Sequence, residues 1–384
     1  MRVSCVGFCV GVLVVAGCAS PGAPSAPSPY VLPLSLSKGQ DDLARADSAR
    51  LSRATPACAG SRTGQAQCDV LIEPGGAHPT YSGWTASQLE RAYDLRSAAK
   101  SKGAGQIVGI VNAYDNPDAA NDFAAYRSGM GLPAGTLDKY NQEGSQSNYP
   151  TGSPGWGVEI DLDIEMVSAS CPNCTIYLLE ANSNQWSDLE AAEAEAVKLG
   201  ATIISNSYDG SGASCSDYDT KGIEYLASAG DSGYGVYMPA ECDGVVSVGG
   251  TQLQTCNSKR GYCETPWTDS GGGCATGEKK PWWQVHSKYA ADCDGRLAND
   301  VSALAVDAAE YDSYEEGGWI TVDGTSISSP FVAGIFGLAG NSTKQDGGRT
   351  FWVPAWHHLH LNTVGGVRYS AVGGWGSPKG IRAF

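Results

Sequence analysis

Ser326 stands in the run Gly324-Thr325-Ser326-Ile327-Ser328-Ser329-Pro330, directly ahead of the apolar stretch FVAGIFGLAG. A serine in the first turn of a buried helix has free backbone N–H groups and the positive end of the helix dipole beside it. That setting stabilises negative charge developing near the hydroxyl, which is what acyl transfer requires. A lone serine there can be a plain N-cap; the extended G-T-S-x-S-x-P at the head of an apolar helix points to a nucleophile. Serine needs a base to act as one. The candidate base lies in GVEIDLDIE, where a helix would put Glu159 and Asp163 at i and i+4 on one face. Two carboxyls that close tend to share a proton, which pulls their pKa values apart. The ionised one can take the serine proton while the other orients it. The interleaved Val158, Ile160, Leu162 and Ile164 make this segment too apolar for a solvated acidic face.

Histidine is scarce. The five are His78, His286, His357, His358 and His360, and none sits in a recognisable base motif. His357, His358 and His360 cluster near Trp352 and Trp356 and could ligate a metal, but a cluster behind the last core helix reads as surface or packing. Cys171-Pro172-Asn173-Cys174 has redox or zinc spacing, yet no second such pair or nearby His completes a zinc site. It reads as a structural clip.

These groups must be carried by a framework. Apolar runs predict strands over Gln106–Asn112, Thr175–Glu180, Thr202–Ser207 and Val245–Gly249. Helical spacing predicts helices over Ala86–Ala98, Asp118–Arg127, Gln185–Leu199, Gly222–Ala229 and Ser326–Ala339. Alternation of this kind with continuous apolar strands means an α/β fold, a parallel sheet covered by helices on both faces. Functional groups in such folds gather at the carboxyl ends of the strands. Asn182, Asn206 and Tyr208 follow strands and are candidates to line a pocket.

The chain has 384 residues and a formal net charge of −16, the wrong sign for binding nucleic acid. Arg2 followed by the short apolar run Val6–Ala16 reads as an export signal over residues 1–17, ending Val15-Ala16-Gly17-Cys18. That ending resembles a bacterial lipobox, with Cys18 as a lipid anchor to the membrane; ordinary secretion is the plainer alternative. Residues 18–80 are expected to be a flexible N-terminal segment, a short or vestigial pro-region, before a catalytic domain over 81–384. Of the 13 cysteines, ten lie beyond the signal. In an exported protein they imply disulfides. Closeness in sequence suggests Cys58–Cys68, Cys171–Cys174, Cys215–Cys242, Cys256–Cys263 and Cys274–Cys293, although spacing alone does not fix the pairing. The expected location is extracytoplasmic and the expected state a monomer.

Taken together, Glu159-x-x-x-Asp163, the loop Ala229-Gly230-Asp231-Ser232-Gly233, Val248-Gly249-Gly250-Thr251, Asn299-Asp300-Val301-Ser302 and GTSISSP resemble the sedolisins, serine-carboxyl peptidases with a subtilisin-like fold. The resemblance spans roughly Tyr81 to Phe384. It implies Ser326 as nucleophile, Glu159 as general base, Asp163 as its partner and Asp231 in the oxyanion hole. Asp231 must then be protonated to donate a hydrogen bond, so the implied activity is acidic endopeptidase cleavage of proteins or peptides. A tripeptidyl-peptidase of the same chemistry and a catalytically decayed, lipid-anchored binding protein are the alternatives. A conventional subtilisin is not expected, because Asn112 stands where its Asp would and an H-G-T-H segment is missing. The resemblance also implies a longer N-terminal folding domain than residues 19–80 could form, a task the disulfides or a separate chaperone could take over. It implies calcium near the C-terminus. The matching positions hold Asn362 and Gly376 instead of Asp, which should weaken such a site greatly.

Overall fold

The computed structural model describes residues 54–58, 60, 63–352, 357–362 and 368–384. The expected signal region and Cys18 lie outside them.

The centre is an eight-stranded sheet. Its path runs Tyr262–Pro266, Val245–Thr255, Glu224–Ser228, Ile203–Asn206, Ile107–Ala113, Thr175–Ala181 and Thr136–Asn141, with Val301–Leu304 also paired to Val245–Thr255. All pairings are parallel except the one with Tyr262–Pro266. Strand order reverses at Ile107–Ala113, which has later strands on both sides. Such a reversal opens a crevice at the carboxyl ends of the strands. The fold is subtilisin-like α/β, as the sequence implied.

Two buried helices matter for the site. The carboxylate helix, Pro154–Ser170, begins with Pro154 in its first turn after an extended Ser153, a position where a missing N–H costs nothing. It is buried from Trp156 to its end, acids included. The serine helix, Thr325–Ala339, is buried from Thr325 to Leu338 and stops at Gly340, whose φ of 71° is the left-handed cap that glycine adopts readily. The two helices pack closely at Gly334, where a Cβ would lie 2.0 Å from Ser170 Oγ.

Three expectations need correction. Gly222–Ala229 is not helical: Glu224–Ser228 is a fully buried strand between two parallel neighbours. Pairing on both edges overrides the helical spacing of so short a run. The helix over Ala86–Ala98 is two, Ala86–Ala92 and Arg96–Ser101, with Asp94 at φ 58° turning the chain between them. The described part of residues 54–80 is built into the domain. Thr55–Pro56 pairs with Leu71–Ile72, which pairs with Gly318–Asp323, itself paired with Ala308–Asp312. Ala66–Cys68 pairs with Tyr208–Gly210. Backbone pairing, invisible in a Ser- and Gly-containing stretch, orders this segment.

All five disulfides form in the pairs that closeness suggested.

Candidate active site

Ser326 Oγ donates a hydrogen bond of 2.8 Å to Glu159 Oε2. Both residues are completely buried. The second carboxyl oxygen of Glu159 is buried too and has no partner. One turn further along the carboxylate helix, Asp163 accepts from Ser207 Oγ at 2.6 Å and from Asn112 Nδ2 at 2.8 Å. Asn112 is the last residue but one of Ile107–Ala113 and Ser207 directly follows Ile203–Asn206, two neighbouring strands at the crevice. Both oxygens of Asp163 are thus held by donors other than Glu159.

Asp231 lies in the loop after Glu224–Ser228. Its Oδ1 accepts from Thr325 N and Thr325 Oγ1, both at 2.8 Å, which fixes it beside the first turn of the serine helix. Its Oδ2 is buried without a partner. The space in front of that oxygen is left by Gly324, where a Cβ would come within 2.8 Å of Oδ2. Glu159, Asp163, Asp231 and Ser326 thus meet at one place, delivered by two helices and one loop.

Burial dominates the electrostatics. It pushes Glu159 well above the usual carboxylate range, the nearby Asp163 adds to that, and the hydrogen bond from Ser326 opposes it. Burial raises Asp163 to about 8 against the pull of Ser207 and Asn112. It raises Asp231 to about 8 against the two bonds from Thr325. A carboxyl kept neutral in this way can donate a hydrogen bond, which a carboxylate cannot.

The other motifs are scaffolding. Gly249 makes room for the Asn299 side chain, 2.1 Å from where a Cβ would sit. Asp300 accepts from Ser247 N and Trp352 Nε1, each at 2.8 Å, and pairs with the buried Arg296. These contacts tie the strands that carry the Asp231 loop.

A family model described as the subtilase family matches residues 139–376. This chain belongs to the subtilase family. It is 29% identical over 271 residues to kumamolisin of Bacillus sp. (strain MN-32), covering 61% of this chain and 48% of that protein. It is 24% identical over 354 residues to sedolisin of Pseudomonas sp. (strain 101), covering 78% of this chain and 60% of that protein. The chain thus spans roughly half to three-fifths of the length of these curated relatives. In fold it is similar to a solved Pseudomonas sedolisin, a serine-carboxyl proteinase in complex with two molecules of pseudo-iodotyrostatin. That match has a TM-score of 0.65 at 24% identity and covers 78% of this chain and 96% of that one.

As a subtilase this chain is unusual in placing no histidine at the serine. His78, His286, His357 and His358 are exposed, and His360 lies 3.9 Å from Asp94, its pKa lowered to about 4 mainly by burial. Two of the pocket candidates are core residues: Tyr208 donates to Asn206 at 2.7 Å, and both are completely buried. Asn182 is exposed.

Sequence reasoning missed three contributors to this subtilase site. Asn112 drew notice only as an absent Asp, and Ser207 only as a strand end. Thr325 was part of the motif but had no role. A polar residue closing an apolar strand on either side of the order reversal was the available signal.

Among the described residues, Asn362 and Gly376 do not fit a calcium ion at the C-terminal position that the resemblance implies. Asn362 Nδ2 bonds Gly373 O at 3.1 Å and its Oδ1 is an unpartnered buried oxygen, but one neutral oxygen is a poor substitute for carboxylates. Gly376 contributes no side chain. Among the described residues, the acids close enough to share an ion are Asp122, Asp161 and Asp312, on the far side of the carboxylate helix from Ser326.

Proposed function

We propose that this chain is an exported serine-carboxyl endopeptidase that cleaves proteins or peptides at acidic pH. The observation carrying this reading is the 2.8 Å hydrogen bond from Ser326 Oγ to Glu159 Oε2 beside a neutral Asp231.

In the proposed reaction Ser326 attacks the substrate carbonyl as Glu159 takes its proton. Asp163, held in place by Ser207 and Asn112 and kept neutral by burial, leaves Glu159 as the member of the pair that takes the proton. The backbone N–H of Ser326 and the protonated Oδ2 of Asp231 face the developing oxyanion. Glu159 then returns the proton to the leaving amine, and water releases the acyl group from Ser326. The roles of all four residues belong to this proposal. So does the location, which five disulfides and the signal-like first residues support.

A tripeptidyl specificity is the second reading. It is favoured by 24% identity over 329 residues to a protein named tripeptidyl-peptidase sed4, of Aspergillus fumigatus.

The test is cleavage of a denatured protein from about pH 3 to 8 by the wild type, Ser326→Ala and Glu159→Ala, with the products sequenced. Loss of activity in both variants is expected. Retained activity in either removes its role, and products confined to N-terminal tripeptides select the second reading.

A further inference from the structure

Glu159 and Asp163 turn one face of the carboxylate helix toward the serine. Asp161, between them in sequence, joins a second group of acids with Asp122 and Asp312. All three are buried, and one oxygen from each lies within 4.8 Å of the others. Three elements deliver them: the carboxylate helix, the helix Ala119–Gly129 and the end of the strand Ala308–Asp312. Two oxygens on one calcium ion stand no further apart than twice a bond of about 2.3–2.6 Å, so the spacing suits a single ion.

The carboxylates are fixed in place. Ser313 N and Oγ donate to Asp122 at 3.1 and 2.6 Å. The backbone N–H groups of Tyr314, Glu315 and Glu316 donate to Asp312 at 2.7, 3.0 and 3.3 Å. Asn116 Nδ2 donates to Asp161 Oδ2 at 2.7 Å. Each carboxylate keeps at least one lone pair for a ligand.

Asp161 Oδ1 is buried and has no donor. The charged groups around Asp161 are Asp122, Asp312 and Glu310, acids throughout. Glu310 is completely buried, has no donor on either oxygen, and stands near Asp312 and Asp122 as well. Among the described residues, no Lys, Arg or His pairs with any of these four acids. A buried carboxylate needs such a partner. Elsewhere the fold supplies it: buried Asp300 has Arg296, and buried Glu180 has Lys139. Burial raises the pKa of Asp122, Asp161 and Asp312, so without an ion the group holds protons, which a divalent cation displaces on binding.

We propose that Asp122, Asp161 and Asp312 bind one calcium ion, which clamps the helix Ala119–Gly129 and the turn after Ala308–Asp312 onto the back of the carboxylate helix. The donors are hard oxygens, which disfavours soft metals. Their irregular arrangement suits calcium, which accepts variable geometry, over magnesium, which demands an octahedron and keeps several waters. The site is separate from Ser326 and from Asn362, and it does not depend on the peptidase reading.

The experiment strips the full chain with EGTA, titrates it with calcium by calorimetry near pH 7, and melts it with and without the ion. The expected result is one ion per chain, release of protons, and a Tm higher by roughly 3–5 °C at a hundredfold excess over Kd. Asp122→Asn and Asp312→Asn keep an acceptor oxygen but remove the charge, and both lose the gain in Tm. Asn362→Ala keeps it. Should the Asn variants fail to fold, terbium replaces calcium in the otherwise intact protein. Tyr314, whose backbone N–H holds Asp312, then sensitises the terbium emission, and Tyr314→Phe loses most of it at unchanged affinity. Absence of binding, or of any gain in Tm, shows acids that share protons only and overturns the proposal. So does a gain that survives in both Asn variants, or one lost in Asn362→Ala alone, which moves the ion to the C-terminal position. Terbium emission that Tyr314→Phe leaves intact overturns it too.

Discussion

Asn112 Nδ2 donates to Asp163 Oδ2 across 2.8 Å, so the strand end that carries no acid still governs one. With Ser207 on the other oxygen, it fixes the carboxyl beside Glu159. Leaving a buried polar group without its partner costs about 1–3 kcal/mol. Asn112→Ala is therefore expected to lower kcat by roughly 10- to 100-fold with little change in KM. Steady-state kinetics on one peptide decide it, and an unchanged kcat removes Asn112 from the positioning role.

Ser326→Ala and Glu159→Gln should each cost kcat at least about 10⁴-fold, because nucleophile and base act as one unit. The double variant should lose scarcely more than either single one. Additive losses in single-turnover assays would separate the two roles.

Asp231 gives a pH prediction with a definite sign. Its folded pKa is raised to about 8, so the donor is present below that value and is lost as pH rises through it. Activity should fall on the alkaline side accordingly. Asp231→Ala should cost roughly 10²- to 10³-fold in kcat, the usual loss for an oxyanion donor. Asp231→Asn donates at any pH and should move the alkaline limb upward. A limb that stays in place assigns it to another group.

Stability should follow the same direction. Asp161, Glu165 and Glu310 are completely buried and raised well above the carboxylate range, mainly by burial, and Asp163 is raised to about 8. Between the ordinary value near 4 and these raised values the folded state holds more protons than the unfolded one. Stability is then full below about pH 4 and declines as pH rises toward 8. Thermal unfolding from pH 3.5 to 8 should show a falling Tm. A Tm that climbs over this range contradicts the buried-acid account.

Gly334 tests the packing of the two site helices. Gly334→Ala places a Cβ 2.0 Å from Ser170 Oγ and should destabilise by about 1–3 kcal/mol. Ser170→Ala removes that oxygen and should recover most of the loss. Denaturant melts of the four proteins read out the coupling.

The acids and the serine were legible because their chemistry is written into local motifs: an acid pair at helical spacing in an apolar run, and a serine heading an apolar helix. The parallel sheet was legible from its apolar strands. Glu224–Ser228 was not, since its conformation is decided by neighbours distant in sequence. The pairing of residues 66–72 was hidden for the same reason. Nothing within Gln67-Cys68-Asp69-Val70 distinguishes a tether from a strand; only Tyr208–Gly210 and Gly318–Asp323, brought together by the fold, make it one.

The pairing of Ala66–Cys68 with Tyr208–Gly210 has a bearing on solubility as well. Remove it and a row of bare N–H and C=O groups faces water, an invitation to strands from other molecules. With its own segment on that edge, the folded domain presents no such row there.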